Sequence, residues 1–130
     1  MQKENEIFNR KDDNHIMKKL YQFTYFDFQA FSHGKQYIST GLRPWKDHET
    51  GKVLGTIVDA IIYKDRTDYG TSKDGSKVSN LFEKISFKVP HKVEIPLSAE
   101  ITPINAVATV YGEYRNQLSI RADDVQVVSK

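Results

Sequence analysis

The sequence predicts a mainly all-β fold, a short closed barrel, and three observations carry that prediction. Runs rich in β-branched and aromatic residues recur from Val53 to Val128, with turn chemistry between them. One long basic loop, residues 64–80, splits the series. Residues 107–112 and 118–122 flank residues 113–117 as the two arms of a hairpin that closes a sheet.

Taken in order, residues 1–20 mix charge with few apolar positions and lack both strand alternation and a long helical stripe. They read as a flexible tail, extended or partly helical, ahead of a single domain over residues 21–130. Ile16, Met17 and Leu20 would share one side of a helical turn or two. Together with Ile7 and Phe8 they form an apolar set suited to self-association with a neighbouring copy. Residues 21–31 are crowded with aromatics, which favours a strand because flat rings fit a pleated surface. Ser32, His33 and Gly34 read as a turn. Residues 36–42 read as a strand ended by Pro44, and residues 43–51 as a loop that holds Trp45, the only tryptophan.

Residues 53–63 are the most hydrophobic strand candidate, with Gly55 placed to supply a bend or bulge. Residues 65–80 are rich in Gly, Ser and Asp and read as a flexible excursion. In residues 81–89, Leu81, Glu83, Ile85, Phe87 and Val89 point one way while Phe82, Lys84, Ser86 and Lys88 point the other. Pro90 and Pro96 bracket a connection. Residues 99–104 begin the next strand or cross the barrel end, and residues 125–128 form a last strand after the hairpin.

The chain has 130 residues, 38% of them apolar and 12% aromatic, which suits one domain and is too little for two. It has no cysteine, so neither disulfides nor a thiolate zinc site holds it together, and a reducing cytoplasm is the expected location. No apolar run approaches the roughly 18 residues of a membrane span, and residues 1–6 are too polar for a secretory leader. Net charge is +2, but its distribution is uneven: residues 33–95 carry 11 Lys and Arg against 8 Asp and Glu, while the flanking stretches are balanced or slightly acidic. The positive excess lies in the middle of the chain.

A long bent strand, a mobile loop, a second strand, a connector and a closing hairpin match a five-stranded Greek-key barrel of the OB type. Three segments add a family resemblance. They are residues 55–62, Gly-Thr-Ile-Val-Asp-Ala-Ile-Ile; residues 80–89, Asn-Leu-Phe-Glu-Lys-Ile-Ser-Phe-Lys-Val; and residues 106–125, which begin Ala-Val-Ala-Thr-Val-Tyr-Gly-Glu-Tyr-Arg-Asn-Gln-Leu. The texture of residues 35–130 resembles the small single-stranded-DNA-binding proteins of Gram-positive conjugative plasmids, the PrgE-like group. That resemblance implies an OB-fold that coats single-stranded DNA with little sequence preference during plasmid transfer or replication. It implies neither a metal nor a catalytic centre.

Sequence-tolerant binding needs ring faces for bases and cations for phosphates. Trp45, between Arg43 and Lys46, suits a binding platform or a ring folded over the barrel end. Tyr69 sits among Lys64, Arg66, Lys73 and Lys77 in the excursion, although Asp65, Asp68 and Asp74 dilute the positive field there. Phe82, Lys84 and Lys88 share a strand face that would line a groove, or Phe82 packs under the loop. Phe87 joins this set only if a bulge turns it outward; strict alternation sends it to the core. Tyr111, Tyr114 and Arg115 cluster at the last hairpin. Arg121 points outward, toward a phosphate or toward Asp123.

Enzymatic readings find little footing. His15, His33, His48 and His91 are scattered singly, without metal-ligand spacing, and no cofactor is expected. Neither a Walker phosphate loop nor a Gly-x-Ser-x-Gly elbow is present. The rival is a small β-barrel adaptor, a protein-interaction module that binds no nucleic acid.

Overall fold

The computed structural model describes residues 17–128. A 3-10 turn, Leu20–Phe23, and a short helix α1, Phe28–Ser32, precede seven strands: β1 Lys35–Lys46, β2 Val53–Asp65, β3 Lys84–Val89, β4 Glu100–Ile104, β5 Val107–Tyr111, β6 Gln117–Arg121 and β7 Asp124–Val127. All seven belong to one mixed sheet in the order β5-β6-β3-β2-β1-β4-β7. Its pairings are antiparallel except β3 with β6. The fold is thus mainly β. Among the described residues, no helix is long and apolar enough to cross a membrane.

Side-chain alternation explains the strands. In β2, Thr56, Val58, Ala60 and Ile62 are buried while Ile57, Asp59 and Ile61 are half-buried on the other face. In β3, Ile85, Phe87 and Val89 point inward and Lys84, Ser86 and Lys88 outward. The inward residues meet in one cluster to which α1 and every strand contribute, from Phe28 and Tyr37 to Ile101, Ala108, Ile120 and Val125. Phe87 sits at its centre, edge-on to Phe28 and Tyr37.

The sheet curls around this core. In a flat sheet β5 and β4 would stand five spacings, about 24 Å, apart. Only Asn105 and Ala106 separate them along the chain, so the sheet bends. Two pairings also keep one register: Ile104 faces Asp124 and, three residues on, Val107 faces Arg121. β4–β5 and β6–β7 therefore form a single long hairpin with a kink at Asn105, whose positive φ and Nδ2–H bond to Asp123 mark the corner. Nearby, the two ring nitrogens of His91 face the carbonyls of Lys92 and Asp123 at 3.1 and 3.0 Å. Only the doubly protonated imidazolium can donate to both, so these carbonyls raise the His91 pKa, with Asp124 adding to the effect.

Residues 21–31 do not form the strand expected of them. Asp27 caps α1 by accepting the Ala30 N–H at 3.0 Å. Phe28 and Phe31, three apart, can then pack together, with ring centroids 5.9 Å apart; in a strand they would face opposite sides. Phe26 alone makes a bridge, to Ala108. Pro44 does not end β1, which runs on to Lys46. β4 pairs only with Tyr37 and Ile38, so β1 is an edge strand at Pro44 and tolerates its missing N–H. Trp45 consequently stands on a strand, and the loop is shorter than expected, beginning at Asp47. Register slips by one residue beside Gly55, as a bulge requires. Its lack of a side chain has a second cause: a Cβ there would lie 1.9 Å from the Val89 carbonyl oxygen.

Candidate nucleic-acid interface

The outer face of β1, β2, β3 and β6 carries the clearest constellation. Arg43 stands opposite Ile57, Ile57 opposite Lys88, and Lys88 opposite Arg121, so one row crosses four strands. Trp45 lies two residues beyond Arg43 on β1, opposite Gly55. Its ring centroid is 5.0 Å from the Arg121 guanidinium carbon and 5.9 Å from Lys88 Nζ. No carboxylate among the described residues pairs with either cation, and Asp123 bonds to Asn105 instead of Arg121.

Beside this cluster runs an open groove of about 890 Å³. It forms where β3 and β6, which pair only at Phe87–Ile120 and Lys88–Arg121, diverge toward their N-terminal ends. Arg43, Lys84, Lys88, Tyr111 and Arg115 line it, with Ile57, Leu118 and Ile120 supplying apolar wall. Asn80, Ser86, Asn116, Gln117 and Ser119 add polar groups there that the sequence did not single out. The sequence signalled Ser86 alone, through the outward alternation of β3.

Within the groove Arg43 is not a free cation. Its Nε–H and a terminal N–H donate to Asp59 at 2.7 and 2.9 Å, and the Ser86 hydroxyl donates to the same carboxylate at 2.6 Å. The Arg43 guanidinium, helped by Ser86, holds Asp59 below the usual carboxylate range despite partial burial.

The basic excursion is elsewhere. None of Lys64, Arg66, Tyr69, Lys73 or Lys77 lines the groove. Three aspartates organise this segment. Asp65 accepts the Thr67 N–H at 3.0 Å, the Tyr69 hydroxyl at 2.8 Å and the Asn80 N–H at 3.3 Å, which joins both limbs of the loop to one carboxylate. Asp68 accepts the Gly70 N–H, and Asp74 accepts the hydroxyls of Ser72 and Ser76. These hydroxyls hold Asp74 well below the usual range.

A buried lysine anchors the same assembly. Lys35 Nζ donates to the Phe31 carbonyl at 2.6 Å and to Thr67 Oγ1 at 3.0 Å, and lies 3.2 Å from Asp65 Oδ1, with both charged side chains fully buried. Its ammonium also sits over the rings of Phe31 and Tyr69. Burial pushes Asp65 up, but the bonds from Thr67, Tyr69 and Lys35, with the Lys35 charge, bring it below the usual range. Tyr69 is thus half-buried and tethered, a poorer platform than expected.

Among the remaining candidates, Phe87 is fully buried and cannot contact a ligand, because β3 keeps strict alternation with no bulge. Phe82 is 63% exposed but precedes β3, in a turn with positive φ, and does not share the face of Lys84 and Lys88. Tyr114, at the tip of the last hairpin, is 78% exposed, and Lys46 ends β1 beside the site. Met17 and Leu20 are exposed, while Ile7, Phe8 and Ile16 lie outside the described residues. Among the described residues, no three His, Asp or Glu side chains come together to hold a metal. No protein-family model, curated protein or solved structure matches this chain.

Proposed function

We propose that the chain is an OB-type barrel that binds single-stranded DNA without sequence specificity, acting in the cytoplasm during conjugative plasmid transfer or replication. One observation carries the binding reading: Trp45, Lys88 and Arg121 converge from three strands beside a groove, and neither cation pairs with a carboxylate among the described residues. A polyanion meets positive charge on this surface, and Tyr111 in the groove offers a ring to unpaired bases. The barrel reading is supported by the shared register of β4–β5 and β6–β7, since counting each kinked pair as one strand leaves five strands whose pairings run in a ring. The biological setting rests on the resemblance of residues 35–130 to PrgE-like proteins.

Titration of oligothymidylate with Trp45 emission as the signal tests the binding reading. With Lys84, Lys88, Arg115 and Arg121 on phosphates, log K should fall with log salt at a slope of about −3, from roughly −0.7 per contact on single strands. Insensitivity to salt would sink the electrostatic grip. Anisotropy with single-stranded and double-stranded oligonucleotides separates the rival, because an adaptor binds neither.

A further inference from the structure

The half-buried Trp45 ring already has two cationic neighbours. Arg121 and Lys88 both lie over it, at 5.0 and 5.9 Å from its centroid. We propose that Trp45 is a positioning residue whose ring aims Arg121 and Lys88 at the phosphates of a bound strand, and that bases do not stack on it. This inference rests on the nucleic-acid reading above and assigns the work within that site.

The same face holds guanidinium groups in two ways, and the contrast is informative. Arg43 is fixed by two bonds to Asp59, which pair its charge and occupy two of its five N–H donors. Arg121 is held instead by a ring, whose electron-rich face attracts a cation without neutralising it. Among the described residues no acceptor takes an N–H of Arg121, so its donors stay available for a phosphate, and its flexible stem is restrained before the strand arrives. Lys88, its direct cross-strand neighbour, is restrained by the same ring, so two phosphate donors are set side by side.

The fold explains why this position on β1 can serve two strands beyond β2. Three strand spacings, about 14 Å in a flat sheet, separate β1 from β6. Trp45 faces Gly55 on β2. At that same glycine the backbone of residues 89–91 presses against β2, drawing the end of β3 close. A base stacking on the ring where the cations lie would have to displace them and undo their alignment.

The test compares oligothymidylate with an abasic strand of equal length across a salt series, for the wild type, Trp45→Phe and Trp45→Leu. A positioning ring predicts that Trp45→Leu weakens both strands by the same factor and flattens the salt slope by about 0.7 for each phosphate that is no longer neutralised. Trp45→Phe, which keeps a ring face, should retain most of the slope. Weakening confined to the strand that has bases would overturn the inference and leave the nucleic-acid reading standing. A wild type that binds neither strand would remove both. If Trp45→Leu loses its β-sheet circular dichroism, Arg121→Gln supplies the comparison: removing the cation should shift Trp45 emission in the free protein and weaken both strands equally. Unchanged emission would overturn the inference.

Discussion

Lys35 and Asp65 show how much a single pair of side chains can set. Alternation along β1 sends Lys35, Tyr37 and Ser39 inward together, so a lysine enters the interior and requires partners for its ammonium. Asp65 answers from the end of β2, and its remaining capacity closes the loop. Removing one member leaves the other charged and buried. Lys35→Met is expected to cost about 3–5 kcal/mol in urea unfolding at neutral pH; a loss under about 1 kcal/mol would show that the pair is solvated. Because the Asp65 pKa is lowered on folding, its contribution is complete above the unfolded carboxylate value, about 3.9, and disappears as pH falls through the folded value. Asp65→Asn should therefore flatten the acid side of the stability profile relative to wild type. At the same scale, burial pushes the Tyr37 hydroxyl up to about 12, while its 2.6 Å contact with the Ser32 hydroxyl ties α1 to β1.

At the scale of elements, Gly55 is the most constrained junction. Gly55→Ala would drive a methyl group into the Val89 carbonyl, so β3 or β2 must shift. A loss of about 3 kcal/mol is expected, the upper part of the usual overpacking range, with a lower thermal midpoint as the readout; a neutral change would mean that the crossing is loose. Elements with plain period-two alternation, β2 and β3, were legible in the sequence, as were the arms of the last hairpin. Residues 21–31 were not, because aromatic content outweighed the cap at Asp27 and the Phe28–Phe31 spacing. Pro44 misled for a related reason: its cost depends on whether a neighbouring strand needs its N–H, and only the sheet order reveals that. Lys88 and Arg121 were each read as outward from local alternation. Their meeting with Trp45 was not legible, since it depends on the parallel pairing of β3 with β6, two strands separated by the connector and the hairpin.

At the scale of the whole molecule, the apolar residues near the N-terminus stand apart from the core. Met17, Leu20, Phe23 and Tyr25 are exposed, and no described residue before Phe28 belongs to the fully buried cluster. Deleting residues 1–20 should leave the thermal midpoint unchanged while lowering any self-association seen in the mass distribution with DNA bound. An unaltered mass distribution would discard the oligomerisation role of Ile7, Phe8, Ile16, Met17 and Leu20. The positive excess of residues 33–95 is shared between two regions, the strand face and the tethered loop.

Since a single carboxylate, Asp65, grips the loop near both of its roots, the distal part at Lys73–Gly75 is the natural place to cut or extend the chain. Trypsin cleavage after Lys73 should yield two fragments that travel together on a sizing column and part only in denaturant. The same position, which does not line the groove, should accept an inserted peptide tag or new chain termini by circular permutation.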